Sequence, residues 1–236
     1  MRLVLLSNSI NFGCGYLDHA ARAITELFQG ARRIAFVPFA LADQEGYHER
    51  VRLRFGALGL DVHRVMEGGH GRDVLEKSEG IFVGGGNTFR LLDRLQRSDF
   101  IALIRSRVLA GAPYLGSSAG TVVAGPTIRT TNDMPIVQPA SFEALGLVPF
   151  QVNCHYLDPD PASRHMGETR EARLREFLEE NRRPVVALRE GSWLEVAADA
   201  ADAPRRVRLC GPLMARLYRR DHEPLECPPG DLPAFG

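Results

Sequence analysis

The sequence contains one lysine, one tryptophan and no surplus of charge of either sign. Its 236 residues include 29 basic and 29 acidic side chains, and every basic one except Lys77 is an arginine. This balance removes the long-range attraction that draws basic proteins to nucleic acids and membrane surfaces, so neither is expected as a partner. The scarcity of lysine excludes a lysine-based mechanism almost everywhere in the chain. Chemistry on small molecules or peptides is favoured instead.

Cysteine is also scarce, and long apolar runs are missing. The four cysteines are Cys14, Cys154, Cys210 and Cys227. They lack the close paired spacing of a zinc site or a redox motif, so we expect reduced thiols and no bound metal. The first apolar run ends at Ser7, which is too early for a signal peptide, and no later window approaches the length of a membrane span. The sequence therefore predicts a soluble, cytoplasmic protein.

Short apolar runs alternate with longer amphipathic ones, a pattern typical of βαβ units around a mostly parallel sheet. Strands are predicted at 2–7, 33–39, 61–65, 80–86, 113–117, 150–155 and 184–190, and helices at 17–28, 43–58, 88–97, 99–111 and 168–181. The rhythm breaks at 127–148, a polar segment of the kind that often forms functional loops. Two antiparallel strands are predicted after about Ser192. We therefore predict one catalytic α/β domain over residues 1–223 and a flexible proline-rich tail over 224–236.

The stretch "YLGSSAGTVV" places two adjacent serines on a tight turn between a predicted strand and a predicted helix. A nucleophilic serine needs small flanking residues, and Gly116, Ser118 and Gly120 fit the G-x-S-x-G pattern. Ser117 does not fit that register. The turn also leaves the amide of Ala119, at the helix start, free to stabilise an oxyanion. The alternative is an ordinary glycine-rich turn that packs a helix on the sheet.

A serine nucleophile needs a general base, and the base needs an orienting carboxylate. His155 is the favoured base because it ends an apolar strand, and open α/β sheets build their sites at that edge. Glu190 ends the next apolar strand in an equivalent place, and Asp133 lies in the irregular segment "TTNDMP". The alternative for His155 is a buried histidine whose hydrogen bonds are all made within the protein. The alternatives for Glu190 and Asp133 are an exposed carboxylate at a strand end and an aspartate in a turn.

A second glycine cluster, "VGGGNT", follows the fourth predicted strand. It has neither the G-x-G-x-x-G spacing nor the lysine of a P-loop, so flavin or nucleotide binding is not favoured and no cofactor is expected. A bare glycine turn at a strand end can instead point backbone amides toward a nucleophile on a neighbouring strand. This cluster is therefore a candidate for completing an oxyanion hole.

Several strings occur together in one order: "VGGGNTF", "GSSAG", "PTIRTTNDMPIV", "VNCHY", "GETREARLREF" and "LREGSW". With them the sequence resembles peptidase E, the aspartyl dipeptidase family of serine peptidases, from "LLSNS" to about Trp193. The resemblance implies a flavodoxin-like three-layer α/β sandwich with a mostly parallel sheet and a small antiparallel C-terminal extension. It also implies a hydrolase that cleaves dipeptides and a few short peptides with an amino-terminal aspartate, without a metal.

The resemblance assigns roles to individual residues of the serine site. The family's nucleophile corresponds to Ser118, its general base to His155, and its third triad member to Glu190 or Asp133. Glu190 is favoured because it ends the neighbouring strand. Ser117 stands where the family commonly has an aromatic residue, so we expect it to affect what binds.

The resemblance also assigns the groups that contact the substrate. The oxyanion amides correspond to Gly86 and Ala119. Arg170 corresponds to the residue that recognises the substrate aspartate, and a planar two-pronged donor suits a carboxylate. Asn87 and Thr88 are assigned to substrate binding as well. The alternative for Arg170 is a helix-surface arginine paired with a neighbouring glutamate.

Other functions stay open at this point. A related peptidase with another amino-terminal preference, or a cyanophycinase-like enzyme that cleaves β-aspartyl bonds, would share the fold and the serine turn. A catalytically silent binding protein for small acidic metabolites would share the fold alone. The expected partner is a short peptide with an amino-terminal aspartate, and a homodimer is compatible with the sequence.

Overall fold

The computed structural model describes residues 1–160, 162, 164, 166–198 and 205–235. The strands in this part of the chain are β1 (Arg2–Leu6), β2 (Arg33–Val37), β3 (Asp61–Arg64), β4 (Gly80–Val83), β5 (Tyr114–Ser117), β6 (Gln151–Asn153), β7 (Val185–Ala187), β8 (Trp193–Ala197), β9 (Arg206–Cys210), β10 (Ala215–Tyr218), β11 (Leu225–Cys227) and β12 (Gly230–Asp231). The predicted polar segment at 127–148 contains no strand or helix of this set, in agreement with its irregular pattern.

The helices alternate with the strands in the amino-terminal half, as the sequence pattern predicts. They are α1 (Ala21–Leu27), α2 (Gln44–Ala57), α3 (Gly69–Lys77), α4 (Thr88–Arg97), α5 (Phe100–Leu109), α6 (Ala119–Val122) and α7 (Arg170–Glu180), with a short 3-10 helix, Asp18–Ala20, before α1. Each helix within the described residues is too short or too polar to cross a bilayer.

The strands form two sheets. The larger has the order β12-β9-β8-β1-β5-β4-β2-β3, in which the five strands from β1 to β3 run parallel. Its other three strands are antiparallel to their neighbours. The smaller sheet has the order β11-β10-β7-β6, with only β6 and β7 parallel. The predicted α/β fold, a mostly parallel sheet with a small antiparallel part, is confirmed.

Successive residues of a central strand point to opposite faces of the larger sheet. Leu3 and Leu5 of β1 pack in one apolar cluster with α3, α4 and α5, whereas Val4 and Leu6 pack in another with α1 and α2. Burying a side chain of this size contributes about 1.5–3 kcal/mol, so both faces stabilise the sheet. The result is a three-layer sandwich that fixes the carboxyl ends of β1, β5 and β4 side by side.

The carboxyl-terminal segment differs from its prediction. Instead of a flexible tail, the chain after Pro224 carries β11, which pairs with β10, and β12, which pairs with β9. The ring of Phe235 then packs on Phe150 with ring centroids 4.2 Å apart. Strands of two or three residues are too short to show a period, and prolines hide them further. Helix α3 was missed for a related reason, because its first turn contains Gly69 and Gly71, which are poor helix formers.

Candidate active site

The serine turn joins β5 to α6 and holds Ser118 in an unusual backbone conformation, with φ 50° and ψ −108°. Residues other than glycine rarely adopt a positive φ without support from the surroundings. The two glycines of the predicted pattern supply that support. A Cβ on Gly116 would lie 2.6 Å from the carbonyl oxygen of Gly120, and a Cβ on Gly120 would collide with the carbonyl oxygen of Val83. The turn therefore requires glycine at both positions.

Three predicted residues form one continuous hydrogen-bonded series. The Oγ of Ser118 lies 2.8 Å from Nε2 of His155, and Nδ1 of His155 lies 2.6 Å from Oε1 of Glu190. When Nδ1 carries the proton and donates it to Glu190, Nε2 is free to accept the hydroxyl of Ser118. The side chains of His155 and Glu190 are 41% and 59% exposed, so a substrate can reach the series from solvent.

Asp133 lies outside that series. Its Oδ2 accepts hydrogen bonds from the backbone N–H of Thr88 at 2.7 Å and from the hydroxyls of Thr88 and Thr131 at 2.5 and 3.2 Å. These contacts place Asp133 at the start of α4, where unpaired N–H groups favour a carboxylate. Of the two predicted carboxylates, Glu190 is the one that contacts His155.

The glycine turn after β4 packs against the serine turn. A Cβ on Gly85 would lie 3.2 Å from the Cβ of Ser118, and Gly86 has φ +132°, where a Cβ would lie 2.8 Å from the carbonyl oxygen of Ala40. Within the described residues, the N–H groups of Gly86 and Ala119 have no hydrogen-bond acceptor in the protein. Two unengaged amides beside a nucleophilic serine are the arrangement that an oxyanion hole requires.

Arg170, the first residue of α7, is bound to the site through Asn132. Its Nη1 donates to Oδ1 of Asn132 at 2.8 Å, and Nδ2 of Asn132 donates to the carbonyl oxygen of Cys154 at 2.7 Å. Burial lowers the pKa of the Arg170 guanidinium, and repulsion from Arg173 lowers it further. Arg170 is thus fixed beside the backbone that carries His155.

The helix-surface alternative for Arg170 has no support in the described residues. The neighbouring glutamates pair with other arginines, Glu168 with Arg173 and Glu171 with Arg175. Arg170 therefore remains available for an anionic ligand.

Asn87 and Thr88 both lie where the start of α4 contacts the irregular segment at 127–148. The side chain of Asn87 caps α4 by accepting the N–H of Arg90, and its Nδ2 donates to the carbonyl oxygen of Met134 at 2.8 Å. Thr88 is only 1% exposed and is bonded to Asp133. Thr88 therefore holds Asp133 at the start of α4.

Two residues that the sequence analysis did not assign hold the backbone of the site. The Ser7 hydroxyl accepts the N–H of His155 at 3.0 Å and donates to the carbonyl oxygen of Leu188 at 2.9 Å. Oδ1 of Asn8 accepts the N–H of Gly191, directly after Glu190, at 2.8 Å. The available signal was a pair of polar residues immediately after the buried apolar strand β1.

Two other hydroxyl or thiol groups beside the site are not available as nucleophiles. Ser117 is fully buried, and its Oγ has no hydrogen-bond partner within the described residues. Contrary to the expectation that it affects what binds, its side chain does not line the site. Burial raises the pKa of the Cys154 thiol, and the charge of Asp133 adds to that effect. A buried thiol of raised pKa is a weak nucleophile.

The site can perform nucleophilic acyl transfer. A serine hydroxyl, a base in contact with it, a carboxylate that orients the base and two unengaged amides are the groups that this reaction needs. In the described ranges, no group of three or more His, Cys, Asp or Glu side chains is arranged to hold a metal ion.

Comparison with known proteins supports the same chemistry. Residues 3–203 match the model of peptidase family S51. A Streptomyces coelicolor protein named "Peptidase E" is 54% identical over 226 residues, which cover 96% of this chain and 90% of the relative. A Drosophila melanogaster protein named "Probable alpha-aspartyl dipeptidase" is 45% identical over 222 residues, which cover 93% and 90% of the two chains.

Solved structures share the fold. A crystal structure from Listeria monocytogenes EGD-e is 26% identical, with a TM-score of 0.65, and the match covers 89% of this chain and 98% of that one. The structure of a peptidase from an acI-B1 Actinobacterium has a TM-score of 0.67 at 16% identity, covering 96% and 94% of the two chains. The second likeness concerns the fold alone.

Proposed function

The chain belongs to peptidase family S51 and is a serine-type dipeptidase, and we propose that it hydrolyses dipeptides and short peptides whose amino-terminal residue is aspartate. The observation that carries the proposal is the hydrogen-bonded series from Ser118 through His155 to Glu190. The Drosophila relative, by its name an alpha-aspartyl dipeptidase, supports the choice of substrate.

In the first half of the proposed reaction, Oγ of Ser118 attacks the carbonyl carbon of the aspartyl residue. Nε2 of His155 takes the hydroxyl proton, and Glu190 stabilises the imidazolium that forms. The oxyanion of the tetrahedral intermediate accepts hydrogen bonds from the N–H groups of Gly86 and Ala119. Removing one donor of this kind typically lowers the rate by about 10²–10³-fold.

In the second half, the tetrahedral intermediate collapses and the C–N bond breaks. His155 gives its proton to the leaving amine, and an aspartyl ester remains on Ser118. Water then attacks the ester while His155 accepts one of its protons, and the second tetrahedral intermediate releases aspartate and restores the Ser118 hydroxyl. His155 must therefore be neutral when Ser118 attacks the peptide and again when water attacks the ester.

Selection of aspartate is assigned to Arg170. Its guanidinium has no carboxylate partner within the described residues, and its contact with Asn132 fixes one edge of the planar group. The remaining edge can form two parallel hydrogen bonds to the β-carboxylate of the substrate.

The test is a panel of dipeptides that differ in one feature of the first residue: Asp-Leu, Glu-Leu, Asn-Leu and β-Asp-Leu, each assayed for released leucine. We expect turnover of Asp-Leu with kcat/KM about 10- to 100-fold above Asn-Leu, because a charge-assisted pair is lost with the amide. Comparable kcat/KM values on Asp-Leu and Asn-Leu would contradict the proposed role of Arg170. Faster turnover of β-Asp-Leu would instead indicate a cyanophycinase-like specificity.

A serine-directed fluorophosphonate separates an enzyme from a silent binding protein. Stoichiometric labelling of the wild type at Ser118, detected by mass spectrometry of the peptide that carries it, supports the proposed chemistry. Binding of an acidic ligand with neither labelling nor turnover would contradict it.

A further inference from the structure

The glycine turn after β4 has a hydrogen bond on each side of its unengaged N–H group. On one side, the N–H of Gly85 donates to the hydroxyl oxygen of Tyr47 at 2.8 Å. On the other, the N–H of Asn87 donates to the carbonyl oxygen of Ala40 at 3.1 Å. Between them, the N–H of Gly86 has no acceptor in the described part of the chain. The peptide group with the unengaged N–H is therefore flanked by two peptide groups that are held in place.

The flanked peptide group joins two glycines, so it has little resistance of its own to rotation. Glycine adopts positive φ as readily as negative φ, and Gly86 already has φ +132°. A half turn of this peptide group would replace the N–H beside Ser118 by a carbonyl oxygen, whose partial negative charge repels an oxyanion. The hydrogen bonds of Gly85 and Asn87 oppose that rotation, because each fixes one of the neighbouring peptide groups.

Of the two acceptors, Tyr47 is the one that uses its side chain. This residue of α2 is buried, and its ring packs edge-on against Phe36 with the ring centroids 5.0 Å apart. Its hydroxyl lies against the turn, since a Cβ on Gly84 would lie 2.6 Å from it. Burial raises the pKa of the Tyr47 hydroxyl, which keeps the group neutral and places no negative charge behind the oxyanion amides.

Resting on the proposed function, we infer that Tyr47 is a positioning residue for the oxyanion hole: its hydroxyl holds the N–H of Gly85 and thereby keeps the N–H of Gly86 directed at the oxyanion. The series from Ser118 to Glu190 uses no atom of Tyr47. Both halves of the proposed reaction pass through an oxyanion, so the hydroxyl affects the rate of both.

The test removes the hydroxyl alone, in Tyr47→Phe. The matched control is Tyr218→Phe, because the buried hydroxyl of Tyr218 also has a hydrogen-bond partner, the hydroxyl of Tyr156 at 2.7 Å. Tyr218 pairs with Val185, the first residue of β7, whereas Glu190 follows the other end of that strand. The control therefore loses a comparable buried contact away from the serine turn.

Three measurements are made on each protein, well below its melting temperature. They are kcat and KM on Asp-Leu, the rate of labelling by the serine-directed fluorophosphonate, and the melting temperature itself. The label is informative because its phosphoryl oxygen takes the place of the oxyanion when Ser118 attacks the phosphorus.

Tyr47→Phe should lower kcat on Asp-Leu by about tenfold or more and leave KM within about twofold, because an oxyanion donor acts mainly in the transition state. Labelling of Ser118 should slow by a similar factor. Tyr218→Phe should lower the melting temperature but keep kcat and the labelling rate within about twofold of the wild type.

A purely structural role of Tyr47 gives a different result. If Tyr47→Phe lowered the melting temperature as Tyr218→Phe does, while kcat and labelling stayed at the level of the wild type, the positioning role would be overturned. A change confined to KM would overturn it as well, because that result would place Tyr47 in substrate binding.

The label carries no aspartyl group, which separates this inference from the proposed function. Labelling of the wild type without hydrolysis of Asp-Leu would contradict the proposed substrate alone, and slower labelling of Tyr47→Phe would then still support the inference. Hydrolysis of Asp-Leu by the wild type, with equal labelling rates for the wild type and Tyr47→Phe, would overturn the inference alone. A wild type that is neither labelled nor active would overturn both.

Discussion

The hydroxyl oxygen of Ser7 accepts the backbone N–H of His155 at 3.0 Å, although the two residues are 148 positions apart in the chain. The same hydroxyl donates to the carbonyl oxygen of Leu188, two residues before Glu190. His155 has φ 54°, a conformation that a residue without glycine's freedom holds only with support. Ser7 therefore holds the backbone of His155, the proposed base, and, through Leu188, the segment after β7 that carries Glu190.

Ser7→Ala should lower kcat on Asp-Leu by about tenfold and leave KM within about twofold, because the base is displaced while the groups assigned to substrate binding are untouched. Loss of the hydroxyl also leaves the backbone N–H of His155 unpaired, at a cost of about 1–3 kcal/mol, whereas the carbonyl oxygen of Leu188 still accepts the N–H of Tyr156. Steady-state kinetics and thermal denaturation measure both effects. A lower melting temperature with unchanged kcat would assign Ser7 to stability alone.

Ser118→Ala should abolish fluorophosphonate labelling and lower kcat at least about 10⁴-fold, because the nucleophile is removed. Ser117→Ala is the matched control on the adjacent residue. Since the Ser117 hydroxyl is buried without a partner in the described residues, its removal should leave labelling, turnover and stability close to those of the wild type. Labelling that persists in Ser118→Ala would place the reactive group elsewhere.

Glu190→Gln should lower kcat on Asp-Leu by about 10²–10⁴-fold. A glutamine can donate to Nδ1 of His155 and so favours the tautomer whose Nε2 cannot accept the Ser118 proton. Glu223→Gln, at an exposed carboxylate that pairs with Arg175, serves as the control and should retain full activity. Unchanged kcat in Glu190→Gln would show that His155 needs no carboxylate partner.

The pair of Asp158 and Arg189 should contribute to stability only above acidic pH. The hydrogen bonds from Nε and Nη2 of Arg189, at 2.7 and 2.8 Å, lower the pKa of the Asp158 carboxyl below its usual range near about 4. Because the folded state holds the proton less tightly than the unfolded state, the stabilisation is present above that usual pKa and is lost as the pH falls through the folded one.

Melting temperatures measured from pH 7 to pH 2 test this relation. Asp158→Asn should change the melting temperature little at pH 2 and lower it at pH 7, by an amount limited by the exposure of the pair. Asp73→Asn, at an exposed pair with Lys77 on α3, is the control. If the melting temperatures of the wild type and Asp158→Asn differed equally at pH 7 and pH 2, the pair of Asp158 and Arg189 would not be the source of the pH dependence.

The local parts of the fold and the site were predictable because local constraints determine them. The alternation of apolar runs with amphipathic ones specified the parallel strands, and the spacing of Gly116, Ser118 and Gly120 specified the tight turn. Elements without a local signal were not predicted. Helix α3 begins in a glycine-rich stretch, and β11 and β12 are too short for a period.

The sequence by itself determined the fold class, the serine turn and the residues from which a triad can be built, since each depends on spacing along the chain. Only the tertiary structure distinguished the two carboxylates. Parallel pairing of β6 with β7 aligns Asn153 with Ala187, so the residues after each strand emerge together and Glu190 reaches His155. Asp133 instead contacts the start of α4, and Ser7, directly after β1, contacts His155. Contacts of this kind between distant segments arise from packing, so neither segment shows a sequence pattern that predicts them.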